Sequence, residues 1–392
     1  MMQIMRGNEA TALAAKLCRP NVIPAYPITP STMFPERISE YVADGELDTY
    51  FLLAESEHSA ISAAIGASST GARVCTATAS QGLALMHEML FIAAGMRLPI
   101  VMAVGNRALS APINIWCDQQ DTISERDAGW IHYYAENNQE CLDFMIMSFK
   151  VAEDKRVYLP ALVGLDAFVL THTMEPVDVP EQAAVDKFLP PYVPHAILDP
   201  KTPMTIGALG TPEYYMETRY ALQKALMDSA GVIDEVFDQF AKAFGRKYQR
   251  ISDYRSEDAE VIFVTMGSMT GTARVAVDNL RAKGKKAGLV KISVLRPFPH
   301  KELKGALGKA KVVAVTERAI SLGYGGAIYA EIAGHFVNDA RRPILSSFIL
   351  GLGGRDILPE HFYDIFAKGE KLMAGGKLEE FPEWAGLNRE VL

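Results

Sequence analysis

The chain is poor in cysteine, with only Cys18, Cys75, Cys117 and Cys141 among 392 residues. No two of them form a CxxC pair, and no group of cysteine and histidine residues has zinc or iron–sulfur spacing. We therefore expect four free thiols, mostly buried, as in proteins of a reducing compartment. Any metal cluster that serves this protein is expected on another chain.

Long apolar runs and a surplus of basic residues are also missing. No uncharged stretch reaches the ~18 apolar residues that a membrane span needs. Arg6, Glu9 and Lys16 interrupt the N-terminal segment where a signal peptide would have its apolar centre. We expect a cytoplasmic protein without membrane contact. The 39 basic residues are outnumbered by 47 acidic ones, which argues against a nucleic-acid partner.

Short and long apolar segments alternate along the chain, whose length favours two domains. In the first 110 residues the short segments predict strands at 21–26, 50–54, 73–78 and 99–104, and the long ones predict helices at 7–18, 30–43, 56–70 and 81–96. Such alternation favours an α/β fold with a doubly wound parallel sheet covered by helices on both faces.

A second, smaller α/β unit is predicted after a proline-rich stretch. Residues 175–212 contain eight prolines, which neither a helix nor a central strand tolerates at this density. We predict an extended arm there, with a partner as one surface that it could wrap. The first domain is predicted over 1–248, ending in a long amphipathic helix, and the second over 256–392.

Three polar clusters follow predicted strands. In YPITPST, Thr29 is predicted as a helix N-cap and Pro30 as the first helical residue; spacing alone favours capping over binding of an anion by Thr29. Glu57 lies in the first turn of another helix, where it either complements the helix dipole or bonds a ring nitrogen of a ligand. Arg107, at a strand end, suits either a carboxylate ligand or a structural salt bridge. Parallel strands would bring Thr29, Glu57 and Arg107 to one sheet edge.

Other motifs carry a weaker signal. MGSMTG at 266–271 resembles a phosphate loop but lacks both the P-loop lysine and dinucleotide-binding spacing. GLGGRD at 351–356 suits either an anion or a turn that needs positive φ, and the turn is favoured. His87, His132 and His172 show no ligand spacing. We expect tight turns at the two glycine motifs, and core or surface positions for the histidines.

Several longer segments occur together in a characteristic order. They are GNEATALAA, AYPITPST, ESEHSAISAAIGAS, TATASQGLALMHE, GNRALSAPINIWCDQQD and ERDAGW, followed by VTMGS, KISVLRPFP, VTERA and GLGGRDI. Over nearly its whole length the chain thus resembles the α subunits of 2-oxoacid:ferredoxin oxidoreductases. It looks most similar to the pyruvate enzymes and next to the branched-chain 2-oxoacid enzymes.

The resemblance implies a fold and a reaction. The first domain would be a thiamine diphosphate pyrimidine-binding domain, and the second would resemble the C-terminal domain of transketolase. The enzyme would decarboxylate pyruvate, pass electrons to ferredoxin and form acetyl-coenzyme A. Glu57, at N1′ of the pyrimidine, and Pro27 would bind the cofactor, while Thr29 and Arg107 would bind the substrate.

The resemblance also implies partners. The chain has no GDG motif followed by Asn, so Mg²⁺ and the diphosphate would be held by a β subunit. Iron–sulfur clusters would lie on partner chains, which include γ and ferredoxin-like δ subunits. The segment ASQG at 79–82 departs from the Ser-Gly-Pro-Gly type of turn found in many relatives, so the role of this loop is left open.

Three alternative functions remain at this point. One is the α subunit of a branched-chain 2-oxoacid enzyme, because the residues that read the substrate side chain cannot be placed. Another is a non-catalytic assembly or nucleotide-binding subunit, supported only by the glycine turns. The third is a self-contained thiamine enzyme such as a transketolase, which the missing diphosphate motif disfavours.

Overall fold

The computed structural model describes residues 1–392 as an α/β protein. Its strands are β1 (Met2–Arg6), β2 (Val22–Ala25), β3 (Tyr50–Leu53), β4 (Cys75–Thr78), β5 (Val101–Asn106), β6 (Ile131–Tyr134), β7 (Ala161–Asp166), β8 (Met174–Asp178), β9 (Ile251–Tyr254), β10 (Val261–Met266), β11 (Ala287–Ile292), β12 (Val294–Arg296), β13 (Val312–Glu317), β14 (Ile344–Ile349) and β15 (Glu383–Trp384). Its helices are α1 (Gly7–Cys18), α2 (Met33–Ala43), α3 (Glu57–Ser69), α4 (Ser80–Leu85), α5 (His87–Gly95), α6 (Gln120–Ser124), α7 (Asn138–Ala152), α8 (Gln182–Phe188), α9 (Pro212–Phe244), α10 (Met269–Ala282), α11 (His300–Leu307), α12 (Ala327–Phe336) and α13 (Pro359–Met373).

The first unit is built on a parallel sheet. Strands β4, β5, β7 and β6 are neighbours in that order and run parallel. The parallel pair β2 and β3 continues this sheet through a parallel bridge between Val22 and Val74. The carboxyl ends of β2, β3, β4 and β5 therefore lie at the same edge. The four strands predicted in this part are confirmed, and the helix predicted at 81–96 is split into α4 and α5.

One predicted helix start is wrong. Helix α2 begins at Met33 and its N-cap is Thr32, so neither Thr29 nor Pro30 has the capping position expected from the sequence. The Ser31 N–H donates to the Ile28 carbonyl at 2.8 Å, which closes a turn over these residues before the helix begins. The Thr29–Pro30 peptide is cis. Thr29 thus belongs to a turn in front of the helix.

Aromatic rings fill much of the space between the first sheet and its outer helices. Tyr133 lies 5.7 Å from Phe144, whose ring stacks on Phe237 at a centroid distance of 6.3 Å. Phe237 belongs to the inward face of α9, where apolar residues recur every three or four positions. This face holds the long amphipathic helix against α7.

The second unit has a six-stranded sheet in the order β15-β14-β13-β10-β11-β9, parallel except for β9. Side chains alternate across the sheet. Val261 and Phe263 pack toward α10 and α13, whereas Ile262 and Val264 pack toward α11 and α12. The predicted doubly wound arrangement is therefore present, and β14, α13 and β15 extend it beyond the elements read from the sequence.

The two units interlock. Strand β12 follows β11 directly but leaves the second sheet and pairs antiparallel with β6 of the first. Lys291, which is 3% exposed, forms ion pairs with Glu136 at 2.9 Å and with Glu140. These contacts compensate the buried ammonium group. The division of the chain into domains 1–248 and 256–392 stays a prediction.

The proline-rich arm is only partly as predicted. Its first part is regular, since β8 pairs antiparallel with β1 and α8 follows. Residues 189–211 contain no helix or ladder strand and run along the first unit. Arg73 Nη2 donates to the Pro190 carbonyl at 2.7 Å, and the Leu198 N–H donates to the Ser69 carbonyl at 2.9 Å. The arm thus packs on its own chain over this stretch.

All four cysteines are free and buried, as expected. No group of three or more His, Cys, Asp or Glu side chains is arranged to hold a metal ion. None of the helices combines the length and the apolar character needed to cross a membrane.

Candidate active site

Glu57 is the first residue of α3, and its side chain is 7% exposed. The cap of this helix is the preceding residue, Ser56, whose hydroxyl accepts the Ser59 N–H at 3.1 Å. The Glu57 carboxylate has no hydrogen-bond or ion-pair partner within the chain. The acceptor sites of this carboxylate are therefore not used by the chain itself.

Gly82 packs directly against this carboxylate. A Cβ atom at position 82 would lie 2.7 Å from Glu57 Oε1 and 2.6 Å from Thr78 Oγ1. Thr78 Oγ1 and the neighbouring Gln81 Nε2 are buried and also lack hydrogen-bond partners. The Glu57 carboxylate and the Thr78 hydroxyl therefore meet at Gly82 without being satisfied by the protein. The turn at 79–82, whose role the sequence left open, packs against both groups.

Arg107 follows β5 and is 8% exposed. Its Nη1 donates to the Thr29 carbonyl at 2.9 Å and its Nε to the Asn114 carbonyl at 3.0 Å. The guanidinium forms no ion pair, so the structural salt bridge considered from the sequence is absent. Burial lowers the pKa of Arg107. The three remaining N–H groups of the guanidinium are available to an anion.

The predicted residues lie at one sheet edge and are connected by two sets of contacts. Thr29 touches Arg107 directly, and Ser31 in the same turn donates its hydroxyl to the Thr78 carbonyl at 2.9 Å. Thr78 in turn meets the Glu57 side chain at Gly82. Pro27 and Thr29 are exposed at the rim. The residues predicted to converge thus lie along one continuous edge, formed by the ends of parallel strands.

The glycine motif at 266–271 contacts the first unit. The Ser268 N–H donates to Asp166 Oδ2 at 3.0 Å, and Arg318 Nη1 donates to the same oxygen at 3.1 Å. Gly267 has φ +70°, and a Cβ there would lie 2.5 Å from Gln119 Nε2. The positive φ and the close approach explain the glycine. The expected tight turn is confirmed, and its free N–H is occupied by a carboxylate of the same chain.

The glycine motif at 351–356 behaves in the same way. The Gly353 N–H donates to Asp118 Oδ2 at 3.3 Å, and the Gly354 N–H donates to the Cys117 carbonyl at 2.6 Å. Both glycines have positive φ, as expected. Both glycine loops of the second unit therefore contact the segment that follows Arg107. These contacts hold that segment between the two units.

The sequence matches the family described as pyruvate flavodoxin/ferredoxin oxidoreductase, thiamine diphosphate-binding, over residues 13–238. The chain belongs to this family. Residues 259–362 match core domain II of pyruvate:ferredoxin oxidoreductase. The chain is therefore a subunit of an oxidoreductase, with a thiamine diphosphate-binding domain that contains the site described above.

Curated relatives of this oxidoreductase family cover the chain from end to end. Pyruvate synthase subunit PorA of Pyrococcus abyssi is 56% identical over 390 residues, which is 99% of each chain. The protein of that name from Methanothermobacter thermautotrophicus is 50% identical over 390 residues, covering 100% of this chain and 99% of the relative. Ketoisovalerate oxidoreductase subunit VorA of Pyrococcus abyssi is 46% identical over 389 residues, covering 99% and 98%.

Solved structures share the fold of this family member at low identity. A 2-oxoglutarate:ferredoxin oxidoreductase from Magnetococcus marinus has a TM-score of 0.69 at 20% identity; the alignment covers 94% of this chain but only 65% of that chain. A split-gene transketolase has a TM-score of 0.55 at 12% identity, covering 95% and 99%. The predicted fold class, a thiamine diphosphate-binding domain followed by a transketolase-like domain, is confirmed.

Sequence reasoning missed one acidic residue at the oxidoreductase site. Asp121 is 2% exposed, and it contacts both the turn at 79–82 and the backbone of Arg107. Burial raises the pKa of Asp121 to about 7. The residue lies inside the segment GNRALSAPINIWCDQQD, but nothing in local spacing separates it from the neighbouring acid Asp118.

The three histidines that lacked ligand spacing lie outside the site. His87 Nδ1 is 2.6 Å from Glu125 Oε2, and the His172 ring stacks on Phe168 at 4.6 Å. His132 is fully buried, and burial lowers its pKa to about 3. Their expected core and surface roles are confirmed.

Proposed function

We propose that this chain is the α subunit of a pyruvate:ferredoxin oxidoreductase and supplies one half of a thiamine diphosphate site. The complex would convert pyruvate, coenzyme A and two oxidised ferredoxins into acetyl-coenzyme A, carbon dioxide, two reduced ferredoxins and a proton. The observation that carries this proposal is the buried Glu57 carboxylate, unpartnered in the chain and placed on the same sheet edge as an unpaired arginine.

The residues around Glu57 fit a pyrimidine ring. The carboxylate is suited to hold a hydrogen bond at ring atom N1′, and the unpartnered Thr78 hydroxyl offers a further polar contact. Gly82 lets the turn at 79–82 pack directly against the carboxylate, and Pro27 lies at the rim. Thiamine diphosphate, when bound, supplies the electron sink for decarboxylation. The role of this chain is to bind and orient the pyrimidine ring and to keep the ring in the correct protonation state.

Arg107 and Thr29 fit the substrate. The three unused N–H groups of Arg107 match the carboxylate of a 2-oxoacid, and burial strengthens such a pair because little water competes. The exposed Thr29 is placed to bond the keto oxygen through its hydroxyl. Two contacts of this kind would fix the reacting carbon relative to the Glu57 carboxylate.

Partner chains would complete the site. Large apolar side chains are exposed at the end of β3 and in the loop after β5, where they suit a subunit interface: Leu53 at 62%, Ile113 at 81% and Trp116 at 51%. We assign Mg²⁺ and the diphosphate to a β subunit, because this chain lacks a GDG motif followed by Asn. Iron–sulfur clusters would belong to partner chains, which include γ and δ subunits. Four free thiols support the cytoplasm as the compartment.

The test is a pair of isosteric substitutions in the assembled complex. Glu57→Gln removes the carboxylate, whereas Glu55→Gln changes an exposed acid whose side chain bonds only Ser59. Pyruvate-dependent ferredoxin reduction should fall at least about 100-fold in the first variant and stay near wild type in the second. Wild-type turnover in Glu57→Gln would overturn the proposal and favour a non-catalytic assembly role.

The identity of the substrate needs a separate measurement. The higher identity to pyruvate synthase subunits, 56% against 46% for a ketoisovalerate enzyme subunit, favours pyruvate. Assays of the complex should therefore give a larger kcat/KM for pyruvate than for 2-oxoisovalerate. The isolated chain should be inactive with both, which separates this proposal from a self-contained thiamine enzyme.

A further inference from the structure

Asp121 lies between the two halves of the site. One oxygen, Oδ2, accepts the Ser80 N–H and the Arg107 N–H, each at 3.0 Å. Ser80 precedes Gly82 by two residues, so this bond holds the turn that borders the Glu57 carboxylate. The bond to Arg107 holds the backbone from which the substrate-binding guanidinium extends. A single oxygen atom thus joins the cofactor side to the substrate side.

The other oxygen fixes the orientation of the carboxylate. Oδ1 accepts Asn106 Nδ2 and the Thr122 N–H, each at 2.8 Å. Asn106 Nδ2 also donates to Thr122 Oγ1 at 2.7 Å, and the Tyr134 hydroxyl donates to the same Oγ1 at 2.8 Å. All four groups that face Asp121 are N–H donors. The two oxygens of a carboxylate accept all four bonds, whereas an amide would turn its NH₂ group toward two of the donors.

The turn held by Asp121 has an unusual backbone. Ser80 has φ +49°, which a residue with a side chain rarely adopts. Its hydroxyl also donates to the Ala108 carbonyl, so the turn is tied to the Arg107 segment a second time. Such a conformation persists only where the surroundings determine it. Release of the Ser80 N–H would let the turn relax and shift Gly82 against Glu57 and Thr78.

We propose that Asp121 is a positioning residue that sets the distance between the cofactor-binding turn at 79–82 and the substrate-binding Arg107. The inference rests on the proposed function, since it assigns to Asp121 the alignment of groups that act in that reaction. Asp121 contacts neither ligand itself. It acts through Ser80 and Arg107, and its loss is expected to affect cofactor and substrate binding together.

Asp118 provides a matched control. It lies three residues earlier in the same segment and is also buried, at 7% exposure. Its carboxylate accepts the Gln120 N–H at 2.7 Å and the Gly353 N–H at 3.3 Å, and it bonds neither Ser80 nor Arg107. Asp118→Asn therefore makes the same chemical change in the same segment without touching the proposed link.

The experiment compares Asp121→Asn and Asp118→Asn in the assembled complex. Three quantities are measured: the Kd of thiamine diphosphate by calorimetry on cofactor-depleted complex, the KM for pyruvate, and the melting temperature. We expect Asp121→Asn to raise both constants by about tenfold or more, because small displacements of positioned groups are costly. Asp118→Asn should change neither constant by more than about twofold, and the melting temperatures of the two variants should be similar.

The inference is overturned if Asp121→Asn leaves both constants at the wild-type value, changes only one of them, or changes them no more than Asp118→Asn does. If Asp121→Asn does not assemble, Thr122→Val removes the hydroxyl that holds Asn106 while keeping the shape of the side chain. Both constants should then rise together by a smaller factor, and an unchanged pair would overturn the inference. Failure of the proposed function itself is recognised separately, by wild-type turnover in Glu57→Gln.

Discussion

The carboxyl edges of the two parallel sheets carry similar polar loops but use them differently. At the first sheet, Glu57 and Arg107 are buried without ionic partners in the chain. At the second sheet, the Ser268 N–H bonds Asp166 and the Gly353 N–H bonds Asp118. The edge of a parallel sheet is a place where ligands bind. We propose that, in this protein, the partners available within the chain decide which edge binds a ligand and which forms an interface.

Two buried arginines, one at each sheet edge, differ in the same way in their ionic partners. Arg107 is 8% exposed and its guanidinium bonds only backbone carbonyls, whereas Arg318 is 5% exposed and pairs with Asp166 at 3.1 Å. A buried cation needs an anion nearby. Arg318 has its anion in the chain, so it stabilises the fold. The Arg107 guanidinium has no carboxylate in contact with it, because Asp121 bonds only the backbone N–H of this residue. This arrangement is expected of a guanidinium that binds an anionic substrate.

The largest expected effect is that of Gly82→Ala. The added methyl group would lie 2.7 Å from Glu57 Oε1 and 2.6 Å from Thr78 Oγ1, so the carboxylate assigned to the pyrimidine ring would have to move. Turnover of the complex should fall by about 100-fold or more, with a matching loss of thiamine diphosphate affinity. Gly66→Ala, on the neighbouring helix and with no atom within 4 Å, is the control and should stay active. Normal cofactor affinity in Gly82→Ala would contradict the assignment of the first sheet edge, and not the second, to ligand binding.

Substitution of Arg107 should affect the substrate and not the fold. Arg107→Lys keeps the charge but loses the fork of N–H donors. We expect the KM for pyruvate to rise about tenfold to 100-fold, with little change in melting temperature. Steady-state kinetics and thermal unfolding of the same preparation check both parts. An unchanged KM would mean that this arginine does not meet the carboxylate.

Substitution of Arg318 should have the opposite pattern. Arg318→Met leaves Asp166 buried with fewer partners, so the free energy of unfolding should fall by about 3 to 5 kcal/mol. The KM for pyruvate should stay within about threefold of wild type in the fraction that remains folded. Denaturant unfolding measures the first quantity and kinetics the second. A selective rise in KM without loss of stability would place Arg318 in the site as well.

The positions of the three residues on which the proposed function rests were predictable, because these positions depend on strand direction alone. Thr29, Glu57 and Arg107 each follow a strand of the first sheet, and parallel strands end at one edge. The N-cap expected at Thr29 was wrong, because the turn closed by Ser31 and Ile28 moves the helix start to Met33. Propensity rules do not resolve such a turn in front of a helix.

Long-range contacts were not predictable. Asp121 meets Ser80 across 41 residues, and Asp166 meets Ser268 across 102 residues. The pairing of β12 with β6, which crosses from one unit to the other, is of the same kind. Local periodicity reports which face of an element is buried but not what covers that face. The contacts that hold the site in shape are therefore visible only in the folded chain.

The smallest expected effect is a pH dependence of stability at the second sheet. Burial raises the pKa of Glu317 to about 7, and its carboxylate accepts the Ile328 N–H at 2.7 Å. A raised pKa means that the folded state holds the proton more tightly than the unfolded state does. The stabilisation is complete below the unfolded-state pKa and is lost as the pH rises through about 7. From pH 5 to pH 8 the melting temperature should fall by about 2 to 4 °C through this group. Glu317→Gln should flatten that slope, and an equal slope in the variant would assign the effect to other groups.

The most direct measurement is an experimental structure of the assembled complex with thiamine diphosphate bound. An oxygen of the Glu57 carboxylate should lie about 2.6 to 3.0 Å from N1′ of the pyrimidine ring, with Gly82 beside the ring and the Arg107 guanidinium on the substrate side. A Glu57 side chain turned toward solvent, or a cofactor bound elsewhere in the complex, would contradict this account.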